Sequence, residues 1–213
     1  MGKKGDGSID SPAWGPDDQA AFFQNLKRSR DKGEYLRAKA DALLRAGDAA
    51  RREAARELLQ QAISDHPDTL LIALVYELLG DAYATDGRYG EAEAAYRGAL
   101  DAYEREPLVH GYAEMKLALL ITATRQVAKY DEAQALVEKE EQVFKRDRFD
   151  ALAVLARIAA ERGDRGAAAA YARSALEIES DPEPDVPRHP GAGQVRADEA
   201  TLAELREFAR PAV

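Results

Sequence analysis

The stretch GDAYATDGRYGEAEAAYRGAL, Gly80 to Leu100, decides the fold. It sets Gly80 and Gly87 seven residues apart inside a helical pattern. Glycines this close either cradle a phosphate or let two stretches of backbone approach each other. The phosphate reading fails on three counts. No strand pattern precedes the pair, no Gly-Lys-Ser/Thr follows it, and Gly98 lies mid-helix rather than at a helix start. Packing is what remains: Gly80 lets one helix cross another, and Gly87 makes the turn between them.

Outward from this stretch, residues 34–179 read as helix almost throughout, with apolar side chains at i, i+3, i+4 and i+7 and no alternating strand pattern. Turn signals break the pattern at AGD (46–48), DHPD (65–68), DGRYG (86–90), REP (105–107), AKYD (128–131), RDRFD (146–150), RGDRG (162–166) and SDPEPD (180–185). Eight helices joined by turns that short imply antiparallel neighbours. The breaks also repeat. DGRYGEA (86–92), VAKYDEA (127–133) and RGDRGAA (162–168) superpose at offsets of 41 and 35 residues. RAGDAARREAA (45–55) joins them if its turn carries about three extra residues. Helix pairs repeating at this period mark an all-α fold, an α-solenoid of antiparallel helix pairs.

On these residues the chain resembles the tetratricopeptide repeat family, in about four degenerate copies over residues 34–180. Leu79, Gly80 and Tyr83 match the first-helix signature, Gly87 the turn, and Ala92, Tyr96 and Ala99 the second helix. The first copy keeps Ala55, Ala62 and Pro67, and the fourth keeps Gly163, Ala168 and Ala175 with Ala156 at the crossing. The third departs most: Ile121 stands at the crossing, Ala128 at the turn and Glu140 at the late alanine. The resemblance implies a right-handed superhelix that binds a peptide or a helical segment of a protein partner along the groove lined by first helices. Its groove positions fall on Arg37, Asp41, Glu77, Asp81, Thr122, Arg125, Asp150 and Arg157. The Lys/Asn set of the carboxylate-clamp subgroup is absent. The alternative for these eight is that they are simply exposed helix residues.

The flanks divide into four segments. Residues 1–15 are small, polar and Gly-rich and read as a disordered tail. Residues 16–33 read as an N-terminal helix, with Pro16, Asp17 and Asp18 in its first turn and Gly33 to end or kink it. DPEPDVPRHPGAGQV (181–195) has too many prolines and glycines for regular helix and reads as a Pro/Gly-rich arm over 181–196. Residues 197–213 read as a C-terminal capping helix, with Asp198 at its N-cap and Leu202, Leu205 and Phe208 on one face.

Composition narrows the function classes. The 213 residues are 46% hydrophobic and 32% charged, with formal net charge −9 and a pI near 5.0. That balance argues against sequence-independent nucleic-acid binding. The basic cluster Lys27, Arg28, Arg30 and Lys32 is interrupted by Asp31 and lacks aromatic interleaving. No membrane-length apolar run and no apolar region after Lys3 and Lys4 is found, and Asp6 stands where a myristoylation motif on Gly2 needs Ser or Thr. The absence of cysteine excludes disulfides and thiolate metal sites and suits a cytoplasmic setting. Abundant Ala, Arg and Gly suit a GC-rich bacterial source.

No catalytic, cofactor or metal site is expected. His66, His110 and His189 have no second ligand at metal spacing. His66 reads as a loop residue, and Arg188-His189 either docks the arm or holds an anion. Glu138, Glu140 and Glu141 read as a solvated face or an acidic patch for a basic partner. The leading expectation is a non-enzymatic protein–protein interaction module, a scaffold or adaptor. The alternatives are self-assembly through solenoid ends and an enzyme using acidic residues.

Overall fold

The computed structural model describes residues 8–106, 111–139 and 141–210. Among them are ten α-helices and no strand. His110, Glu140 and the Gly2–Asp6 motif lie outside the described residues. The chain divides into two compact units, 1–113 and 114–213.

The first unit holds α1 (Pro16–Leu26), α2 (Lys32–Ala46), α3 (Ala49–Asp65), α4 (Ile72–Thr85) and α5 (Tyr89–Arg105). Side-chain caps set the starts. Asp31 accepts from Glu34 N–H at 2.8 Å and Asp48 from Arg51 N–H at 2.9 Å. The Asp31 cap starts a new helix inside the segment expected to be one helix over 16–33. Gly33 therefore lies in the first turn of α2 and ends nothing. Helices α2 and α3 pair, α4 and α5 pair, and α4 packs back on both members of the first pair.

Between α4 and α5 the approach is reciprocal. A Cβ built on Gly80 of α4 would stand 2.5 Å from Tyr96 Cδ1 of α5. One built on Gly98 of α5 would stand 2.7 Å from Tyr76 Cδ1 of α4. Each helix thus offers a notch that takes the other's tyrosine ring. Tyr83 ties the two pairs together: its hydroxyl accepts from Gln60 Nε2 at 2.7 Å, and the Arg56 and Arg88 guanidinia lie over its ring at 5.8 and 4.6 Å. Arg52 of α3 reaches Asp86, in the turn after α4, at 2.7 Å, and Arg56 pairs with the same carboxylate.

The second unit takes in α6 (Ala113–Ala123) from Glu114 on, a 3₁₀ turn (Val127–Lys129), α7 (Tyr130–Lys139), α8 (Lys145–Glu161), α9 (Arg165–Ser180) and α10 (Glu199–Phe208). RDRFD, expected as a break, opens α8 instead, because Asp147 accepts from Phe144 N–H at 2.9 Å and caps the helix. Phe149, Ala153 and Ala156 of α8, Ala172 and Ala175 of α9, and Leu202 and Leu205 of α10 form one buried cluster. Asp198 caps α10 by accepting from Thr201 N–H at 2.7 Å. The arm docks on the start of α8 through Asp185, which accepts from Lys145 N–H, and Gly193, whose carbonyl accepts from Arg146 N–H at 2.9 Å.

The turns correct the repeat register. Gly47, Gly87 and Gly163 are left-handed with φ of 80°, 72° and 79°, and the matching residue of the third pair is Arg125 with φ 53°, not Ala128. From Arg125 to Ala133 is three residues longer than from Gly87 to Ala92, and the surplus forms the 3₁₀ turn. From Gly47 to Ala55 is longer by the same amount, but there the surplus extends α3 at its start.

Gly80→Ala and Gly98→Ala should each destabilise by about 1–3 kcal/mol, because each pushes a methyl into a packed ring. Gly87→Ala meets open space and carries only backbone strain, about 1–2 kcal/mol. Urea unfolding of the three variants checks the order.

Candidate functional site

In the first unit, four of the sequence-derived groove residues stand on α2 and α4. Arg37 makes a two-pronged contact with Glu34, 2.6 Å from Nε and 2.7 Å from a terminal nitrogen. That bond, reinforced by Asp41 nearby, holds the guanidinium above its ordinary pKa. Asp41 accepts from Arg45 at 2.5 Å. Glu34, Arg37, Asp41 and Arg45 sit at i, i+3, i+7 and i+11, so alternating charges run along one face of α2.

Glu77 and Asp81 follow one another by a single turn of α4. Both carboxylates are held by hydroxyls from α5. Tyr103 donates to Glu77 at 2.6 Å and Tyr96 to Asp81 at 2.9 Å. Tyr112 N–H adds a second bond to Glu77 at 2.8 Å, and Gly111 has no room for a Cβ beside the Tyr103 hydroxyl. Glu77 is 9% exposed and Asp81 is half-buried. Burial first, then the charge and hydrogen bond of Asp81, push the Tyr96 phenol far above its ordinary value near 10.

The second unit treats its four candidates differently. Thr122 is 2% exposed, and its hydroxyl donates to Ala118 C=O of its own helix at 3.0 Å. That leaves it nothing to present outward. Arg125 is an exposed turn residue, and Asp150 is half-buried on α8. Arg157 donates to Glu204 of α10 at 2.7 Å and reaches Thr201 at 3.4 Å, with its side chain only 10% exposed. The charges of Arg125 and Arg157 both reach the buried Tyr130. Burial and Glu161 raise the Tyr130 phenol, and the two arginines oppose them.

Other candidates resolve simply. Arg188 and His189 are both exposed, and the arm is held by its aspartates and Gly193 rather than by them. His66 is the residue that ends α3. Glu138 and Glu141 are exposed. Among the described residues no group of three or more His, Asp or Glu is placed to hold a metal, and no helix is long and apolar enough to cross a membrane.

The tyrosine donors were not legible as site residues. Tyr96 read as core, and Tyr103 and Tyr112 carry no motif. The signal available was spacing: Tyr96 and Tyr103 lie seven apart on α5, facing carboxylates four apart on α4. Residues 37–107 match the family model for the tetratricopeptide repeat, a span running from Arg37 past the end of α5. Over those residues the chain is similar to the tetratricopeptide repeat, a family whose members generally serve as protein–protein interaction modules. No curated protein matches the chain.

The folded phenol of Tyr96 keeps its proton where the unfolded one loses it, so above pH 10 the native state binds more protons. Its contribution is therefore intact below pH 10 and falls above it by about 1.4 kcal/mol per pH unit. Stability from urea unfolding between pH 9 and 11.5 should fall more steeply for the wild type than for Tyr96→Phe by about that amount, the raised Tyr130 phenol adding a fall of the same sign to both. Separately, a double-mutant cycle of Arg157→Ala and Glu204→Ala should give a coupling of about 1–2 kcal/mol.

Proposed function

We propose that this tetratricopeptide-repeat chain is a non-catalytic scaffold that takes a peptide or helical segment of a partner protein on the α2/α4 face of its first unit. The observation that carries this reading is the pair Glu77 and Asp81, one turn apart and each held by a tyrosine hydroxyl from the neighbouring helix. A carboxylate oriented before the ligand arrives loses little freedom on binding, so its hydrogen bonds count more fully toward affinity. The charge row of α2, Glu34, Arg37, Asp41 and Arg45, alternates in sign. A partner segment that carries lysine or arginine opposite Asp81, with charges of both signs along its length, complements this face.

Of the eight groove residues expected from the sequence, this reading rests on Arg37, Asp41 and Asp81, with Glu77 beneath them as a support. Arg157 is already engaged by α10 and Thr122 is turned inward, so neither carries it.

Affinity capture from a bacterial lysate with the wild-type chain and with Asp41→Arg/Asp81→Asn checks the assignment. The amide that replaces the Asp81 carboxylate keeps an oxygen for the Tyr96 hydroxyl, which protects the fold. The double variant should hold its partner about tenfold more weakly, roughly 1.4 kcal/mol, with an unchanged circular dichroism spectrum. An unaltered set of captured proteins at unaltered yield removes this face as the site.

A further inference from the structure

Lys39 of α2 is 1% exposed, and a buried cation needs partners for its protons. Its ammonium donates to three main-chain carbonyls of the N-terminal segment: Ser8 at 3.0 Å, Ser11 at 2.6 Å and Ala13 at 3.1 Å. Arg51 Nε of α3 donates to a fourth, Pro12 C=O, at 2.7 Å. The Trp14 ring stands 5.3 Å from the Lys39 ammonium and meets Phe22 edge-on at 5.3 Å. Phe22 in turn stacks on Tyr35 at 5.0 Å. Residues 8–15, expected as part of a free tail, are therefore gripped by two cations and an aromatic cluster.

The cover and the covered differ in burial. No residue from 8 to 15 is fully buried, whereas the lysine beneath them is. When such a cover lifts, the ammonium meets water and is solvated, so the opened form holds no stranded charge. The grip is also largely indifferent to sequence, because the cations bind backbone oxygens that every residue supplies. Only Trp14 is read through its side chain.

We infer that Lys39, Arg51 and the Phe22–Tyr35 rings form a socket for a peptide main chain that turns at residues 9–10 and so brings its carbonyls onto one ammonium. The protein's own residues 8–14 are its resident strap, and the same segment of a second copy is the occupant that replaces it. Asp41 and Asp81 take no part in the socket, so it stands or falls apart from the α2/α4 face.

Trp14 is the chain's single tryptophan, which makes the test direct. Full-length Trp14→Leu has a weakened strap and no tryptophan, so a synthetic Ser8–Pro16 peptide becomes the only tryptophan emitter. Its fluorescence anisotropy should rise saturably on titration with that variant. Adding Lys39→Met should weaken binding about tenfold or more, as expected on losing three charge-assisted bonds. Absence of a saturable rise, or equal binding with and without Lys39, overturns the socket. In the otherwise native chain, Lys39→Met should lower the Trp14 anisotropy while the helical unfolding transition is retained. Loss of that transition would show Lys39 to be a core element of the unit and would overturn the strap as well.

Discussion

The reciprocal insertion of Tyr96 beside Gly80 and of Tyr76 beside Gly98 is the constraint on which the first unit depends. Two helices can approach this closely only where a side chain is missing on each, and each gap is filled by a large ring from the other. The interlock fixes both spacing and register, since sliding either helix by one residue drives a ring into backbone. Register then carries chemistry. With Tyr96 seated beside Gly80, its hydroxyl arrives at Asp81, the next residue, and one face of α5 further on brings Tyr103 to Glu77. The contact that closes the helix pair is thus the contact that orients its carboxylates.

Each unit is finished by a segment outside the helix pairs, and the two do it with different physics. In the first unit a strap that turns at residues 9–10 lies over a buried ammonium and is held mainly through backbone carbonyls, with Trp14 as its one aromatic contact. In the second, α10 places Leu202 and Leu205 in the apolar cluster of α8 and α9 and adds the Arg157–Glu204 pair at its edge. The strap buries polar groups that water can satisfy equally, whereas α10 buries apolar surface that water penalises. The first kind of closure is suited to opening and the second to staying shut. That contrast also explains why Arg157, a groove position by resemblance, serves the interior of its own unit.

Much of the helix-pair pattern was legible because its signals are local. Gly80, Gly87, Ala92, Tyr96 and Ala99 sit at spacings that a helix pair demands, and Asp198 before EATLAELREF announces a capped helix. The misreadings came where one local signal had two physical outcomes. RDRFD looks like a charged break, yet Asp147 turns it into the start of α8 by capping Phe144 N–H. Ala128 occupies the turn position by alignment, yet a three-residue surplus moves the left-handed residue back to Arg125. Gly98 looked like a mid-helix glycine without a task, because Tyr76, the ring that fills its notch, is distant in sequence.

The sequence by itself determined the all-α class, the helix pairs and most of their turns, because periodicity, N-caps and left-handed glycines act over a few residues. It also placed Arg37, Asp41, Glu77 and Asp81 on first helices. Only the tertiary structure decided which side chains are spent inside. Thr122 turns to its own helix, Arg157 goes to α10, and Lys39, one lysine among many in the sequence, becomes the buried anchor of residues 8–13. The last two outcomes depend on partners 26 to 47 positions away in the chain. A residue's type and local spacing carry no record of which distant atom will come to meet it.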